Sequence, residues 1–196
     1  MNRIFYIMGK SSSGKDTVYK NLLSQFGFTP LTLYTTRPVR ENEQNGREYF
    51  FVDRAYFDKM KSDGKIIEER IYNTVYGEWI YFTGADSVDL DKGNFLGIGT
   101  LESYLKLRDY FGNDAVIPIY IEVDDDIRLI RAIERERIEE KPKYTELCRR
   151  FIADSEDFSE EKLLAALINR RFSNNTELEH CIDEIKTHIN SIINGG

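Results

Sequence analysis

With 41% apolar and 31% charged side chains, the 196 residues have the make-up of an ordinary soluble protein able to bury the core of one compact domain. A formal charge of −7 excludes general affinity for nucleic acid, so any phosphate site has to be a local cluster of Arg and Lys. Cys148 and Cys181 are too few and too far apart for a disulfide framework, a zinc site or a redox pair. They are read as plain thiols, and with no leader or membrane-length apolar run a cytoplasmic protein without membrane or nucleic-acid partners is expected.

In chain order, the apolar run at residues 3–8 has strand character and leads into Gly9 Lys10 Ser11 Ser12 Ser13 Gly14 Lys15 Asp16 Thr17, which has phosphate-loop spacing. Apolar residues at helical intervals follow over 15–25. Strand, glycine loop and helix are the context in which backbone amides and a helix N-terminus hold phosphate. Lys15 is placed to reach the outer phosphates of a nucleoside triphosphate, with Ser11, Ser12, Ser13, Gly14 and Thr17 around them; Asp16 stands where Ser or Thr is usual, so Thr17 becomes the hydroxyl expected at magnesium. Further core strands are expected at 31–34, 94–98 and 115–122, and helices at 100–110, 125–138 and 176–193, an alternation that predicts a parallel sheet covered by helices. In the last helix, Leu178, Ile182, Ile185, Ile189 and Ile192 form a core stripe, and His180 and His188 are read as helix-surface residues.

Between Thr35 and Thr83 the texture changes to short aromatic segments broken by Asn45 Gly46 and Asp63 Gly64, which predicts an inserted small β subdomain over 35–83. A second insertion, dense in both charges, predicts a helical lid over 128–150, leaving 1–34, 84–127 and 151–196 as core. Within the β subdomain, Arg37 and Arg40 lie close in sequence to Tyr49. Two guanidiniums and a phenol suit a monophosphate, because Arg offers paired planar donors and Tyr an uncharged one. Glu68 ends an apolar run shortly before Tyr76, and a carboxylate there can accept from the ring N–H and exocyclic amine of guanine.

Taken in order, these motifs resemble the guanylate kinases, most specifically over Thr35–Val52. The resemblance implies a P-loop kinase: an α/β fold with a parallel core sheet flanked by helices, an inserted mixed β subdomain for the nucleoside monophosphate, and a helical lid. It implies transfer of the terminal phosphate of ATP, held with Mg2+, to GMP. It assigns the GMP phosphate to Arg37, Arg40, Tyr49 and Tyr76, guanine to Glu68 with Glu69 as fallback, lid arginines to Arg131, Arg135 and Arg150, and the neighbourhood of adenine to Asn175.

Several residues depart from the family pattern. Two aspartates expected on the strand at 94–99 are replaced by Gly97 and Gly99, which opens either a close backbone approach to ligand or a retuned acceptor site. The family hydroxyl that assists the glutamate falls near Leu33 or Tyr34, so Tyr34 or Thr35 is the candidate to take its task. Asp16 offers charge to magnesium or its waters, and Leu167–Phe172 is polar for a buried parallel strand. Two alternatives stay open: a P-loop kinase with another phosphorylated acceptor, and a noncatalytic module of the same build.

Overall fold

The structure is a computed structural model that describes residues 1–74 and 77–195. Its centre is β1 (Ile4–Met8), whose five residues are all almost fully covered, as a strand buried on both faces must be. The loop after it opens α1 (Lys15–Phe26), and the chain returns through the short edge strand β2 (Thr29–Pro30). The second sheet begins with β3 (Tyr34–Thr35) and β4 (Phe50–Phe51), followed by helix α2 (Arg54–Ser62) and the long antiparallel pair β5 (Ile66–Thr74) and β6 (Gly77–Gly84). The chain then re-enters the first sheet through β7 (Phe95–Gly99), α3 (Leu101–Phe111), β8 (Val116–Glu122) and α4 (Asp125–Arg137). It continues through α5 (Tyr144–Asp157), α6 (Glu160–Ala165), β9 (Arg171–Ser173) and α7 (Leu178–Asn194).

The first sheet is parallel, with strand order β2-β7-β1-β8-β9. Successive side chains of β1 point to opposite faces. Phe5 and Ile7 pack with Val18 and Leu22 of α1 and with Ile182, Ile185 and Ile189 of α7. Ile4, Tyr6 and Met8 pack with Tyr104 and Leu107 of α3 and with Phe158 and Leu163. The second sheet is mixed, ordered β4-β3-β6-β5, and has its own core of Tyr34, Phe57, Ile80 and Phe82. This is the P-loop kinase architecture expected from the sequence, with three local differences.

The strand expected at 31–34 is divided. Thr29 and Pro30 pair with β7, Leu31 N–H still donates to Leu96 carbonyl (2.8 Å), and Tyr34 has crossed to the second sheet. The polar run Leu167–Phe172 is mostly loop: strand pairing starts at Arg171, Leu167 has a left-handed φ of 61°, and only Ile168 and Phe172 are inserted in the core, one on each face of the sheet. Arg171 is polar because β9 is an edge strand and its guanidinium pairs with Glu122 and Glu160. Helix α2 was not foreseen; Asp53 caps it by accepting from Tyr56 N–H (2.7 Å), and Phe57 and Met60 form its buried face.

Candidate active site

The phosphate loop joins the C-terminal end of β1 to α1. Gly9 is required by crowding, since a Cβ there would lie 2.7 Å from both the Ile121 carbonyl and the Ser13 hydroxyl oxygen. Gly14 holds a left-handed φ of 85°, and its side-chain space is taken by Asn174, whose Nδ2 donates to the Ser13 carbonyl (2.8 Å). No side chain caps the start of α1, so its first amides stay open to an anion. Ser12 has a φ of 63°, and the hydroxyls of Ser12 and Ser13 are buried without a partner among the described residues.

Facing this loop are Arg131 and Arg135 of α4. Ser12, Gly14, Asp16 and Thr17 share with Arg131 and Arg135 the lining of a cavity of about 350 Å³. Among the described residues neither Lys15, Arg131 nor Arg135 has an ion-pair partner, although acids outnumber bases in the chain. Uncompensated cations beside open amides and an orphan hydroxyl form a site for a polyanion. Arg150 lies next to it, lining a smaller cavity with Ser11, Ser12 and Arg135 while its Nε donates to Glu146 (2.8 Å). Asp16 and Thr17 are exposed at the cavity, a carboxylate and a hydroxyl. That donor set fits magnesium, which takes one or two protein oxygens beside substrate phosphates and keeps several waters.

Two residues missed in the sequence build this side of the site. Arg128 is almost completely buried; it pairs with Asp125 (2.8 Å) and Asp154 (3.4 Å), donates to the Ser11 carbonyl (3.3 Å), and lies over the ring of Phe151. Asp154 in turn accepts from Ser11 N–H at 2.7 Å. Together they fasten α4 and α5 to the phosphate loop. Asn175 touches neither the loop nor the cavity: its Oδ1 accepts from Asp124 N–H (2.9 Å) at the start of α4, and the loop contact is made by its neighbour Asn174.

A second, separate cavity of about 440 Å³ has a lining that includes Leu33, Tyr49, Arg70, Trp79, Tyr81 and Ile98. Arg37 and Tyr49 come together, the guanidinium carbon 5.5 Å from the ring centre. Arg37 is buried in a paired bond to Glu43 (2.8 and 2.9 Å) and donates to the Tyr81 hydroxyl (3.1 Å), one of the walls of the cavity. Glu43 hydrogen-bonded to Arg37 has its carboxyl held below the usual range. Arg40 is exposed, its backbone N–H donating to Glu43, and Tyr76 lies outside the described residues. Tyr34 and Thr35 are directed elsewhere. The Tyr34 ring stacks on Phe82 with its hydroxyl on Asp86 (3.2 Å), and the Thr35 hydroxyl donates to the Ile80 carbonyl (2.9 Å).

Glu68 is buried and lines a different cleft, bonded to Thr83 (2.9 Å) and Ser103 (3.3 Å) and paired with Arg70. Glu69 is drawn into a salt bridge with Lys61. Gly97 and Gly99 answer to Tyr6, which lies on the adjacent strand in register with Gly97. A Cβ on Gly97 would lie 2.5 Å from the Tyr6 ring, and one on Gly99 would lie 2.2 Å from its hydroxyl. The aspartates implied by the family pattern are therefore replaced by one phenol, which burial and then the Glu68 charge hold well above its ordinary pKa and so keep as a neutral O–H.

A family model described as guanylate kinase matches residues 1–158. A guanylate kinase of Nitrosomonas europaea is 38% identical over 95 residues, which is 46% of this chain and 47% of that protein. A guanylate kinase of Koribacter versatilis is 34% identical over 116 residues, 56% of this chain and 48% of that protein. The matched segment thus spans about half the length of these curated relatives. The solved guanylate kinase of Anaplasma phagocytophilum superposes with a TM-score of 0.66 at 22% identity, covering 97% of this chain and 85% of that one.

Proposed function

The protein belongs to the guanylate kinase family, and from that premise we propose that it transfers the terminal phosphoryl group of ATP to GMP, yielding ADP and GDP. The observation that carries the proposal is the set of unpaired cations at the phosphate loop: Lys15 opens α1 there, and Arg131 and Arg135 line one cavity with Ser12, Gly14, Asp16 and Thr17. Such a set neutralises charge on a migrating phosphoryl group while the loop amides hold the remaining phosphates. Magnesium, when bound, would add charge neutralisation between the outer phosphates, with Thr17 and Asp16 as its protein neighbours.

The acceptor is assigned to the second cavity, which Tyr49 lines. Tyr49, Arg37 and the exposed Arg40, with Tyr76, are assigned to the acceptor phosphate, residues 35–83 to the acceptor-binding piece, and 128–150 to the lid. In this scheme the Arg37 guanidinium exchanges part of its paired bond with Glu43 for the incoming phosphate. The acceptor phosphate is ionised near neutral pH, so no strong general base is required. Positioning and water exclusion do most of the work.

The test is a coupled assay of ADP release with ATP, magnesium and each nucleoside monophosphate in turn. GMP is expected to be the preferred acceptor. Turnover confined to some other phosphorylated acceptor would establish the rival kinase reading, and absence of ATP binding would establish a noncatalytic module.

A further inference from the structure

Glu68 leaves β5 just past a bulge, where pairing with β6 shifts register between Ile66 and Glu68. Bulges of this kind re-aim the side chain beside them. Directly across the ladder from Glu68 stands Thr83, and the next rung on the same face is Arg70 opposite Tyr81, both in the lining of the second cavity. Two residues of strand cover about 7 Å, so the carboxylate lies one rung from that cavity.

Two hydroxyls hold this carboxylate, one on each oxygen. Thr83 Oγ1 donates to Oε1 at 2.9 Å and Ser103 Oγ donates to Oε2 at 3.3 Å. All three side chains are buried, yet the two donors come from different parts of the fold: Thr83 from the second sheet, Ser103 from the first turn of α3. Ser103 is itself held by Thr100, which accepts from its backbone N–H (3.2 Å) and lies 3.1 Å from its hydroxyl. Ser103 has one hydroxyl proton, and with that proton on Glu68 the donor between the two hydroxyls is Thr100.

The hydroxyls take two of the roughly four lone-pair positions of a carboxylate. Arg70 approaches the same group at 3.3 and 3.5 Å, longer than an ordinary N–H···O bond, and its buried Nε has no hydrogen-bond partner among the described residues. It lends charge without a firm bond, so each oxygen of Glu68 keeps a position for a further donor. The last torsion of a glutamate is soft, and two parallel donors are met only by a carboxylate whose plane is fixed. We infer that Thr83 and Ser103 are positioning residues for the acceptor base: by holding both oxygens of Glu68 they set its plane to receive the ring N–H and the 2-amino group of guanine together. This rests on the acceptor being GMP with Glu68 at its base.

The test removes one donor at a time. Thr83→Val keeps the shape of the side chain, Ser103→Ala deletes the second hydroxyl, and either carries the test if the other fails to fold. Trp79 is the only tryptophan in the chain and lines the second cavity, so its fluorescence reports acceptor binding, while ADP release reports turnover. The acceptors are GMP and IMP. They differ by the 2-amino group, so the ratio of their affinities reads the second bond to Glu68. Each variant is expected to weaken GMP about tenfold and IMP no more than about threefold, with ATP affinity within about twofold of the parent's. Thr83→Ser, which retains the donor, should restore the parent ratio, and Glu68→Gln should bring it toward one. An unchanged ratio in both donor variants overturns the inference. So does an equal loss for GMP, IMP and ATP, which marks a defect of folding, or a Glu68→Gln variant that keeps the parent ratio, which leaves no reader to position. The expected binding ratios without ADP release would refute the kinase activity and still support the positioning role, whereas a parent protein that binds no GMP would overturn both.

Discussion

Tyr6 dictates two of its neighbours. Its ring and hydroxyl occupy the space that side chains at Gly97 and Gly99 would need, so the missing acidic pair and the added phenol are one structural event. Gly97→Asp alone should destabilise the fold by about 1 to 3 kcal/mol, because the new side chain is driven into a closed core strand. In a Tyr6→Val background the same substitution should cost measurably less. Urea unfolding of the two single variants and the double variant checks this, and strictly additive losses would mean that Tyr6 is not what excludes the side chain. Lys15→Ala and Arg135→Ala are expected to leave unfolding midpoints close to the parent's while kcat falls by about two orders of magnitude or more, since both cations are unpaired and their targets are on the substrate. The loop residues were legible because phosphate-loop spacing is local. Tyr6 and Arg128 were not, because the partners that give them their roles, Gly97 and Ser11, lie far off in sequence on other elements; Tyr6 in particular looked like any apolar member of a buried strand.

Among the elements, α4 and α5 depend on a buried guanidinium to hold them to the phosphate loop. Arg128→Met keeps the packing on Phe151 but strands Asp154 beside Ser11, and a loss of about 2 kcal/mol is expected after allowing for the half-exposed Asp125. The affinity for ATP should fall with it, because Ser11 belongs to the loop; unchanged stability and ATP affinity in calorimetry would show the staple to be incidental. At the start of α5, hydrogen bonds from Arg149 and Arg150 pull the Glu146 carboxyl from 4.5 to about 2. The depressed value means that the pair's contribution is complete above about pH 4.5 and is lost as pH falls toward 2. NMR titration of Glu146 should show this low midpoint, and Arg150→Ala should raise it. Element types were readable wherever periodicity ran long, as in α7. They failed where it was short: α2 was hidden inside an aromatic-rich stretch, and Arg171 sits on an edge where polarity is no guide to strand placement.

At the scale of the whole molecule, the alternation of apolar strands and amphipathic helices was enough to predict a covered parallel sheet, because β1 has to be buried on both sides. How the second sheet closes was less legible, since β3 and β4 have two residues each and their pairing is fixed by β6, far along the chain. The two thiols differ in their surroundings. Cys148 on α5 is exposed, while Cys181 is enclosed between α7 and the sheet, where burial, followed by the Glu184 charge, pushes the thiol up to about 11. At about pH 8, then, Cys181 is both covered and protonated, and only a thiolate reacts. A thiol reagent should label one cysteine promptly in the native protein and the second only as urea opens the helix from the sheet. The rate of that second reaction at rising urea would measure how firmly α7 is docked. Equal, immediate labelling of both cysteines in native buffer would mean that α7 is not held as the last layer of the core.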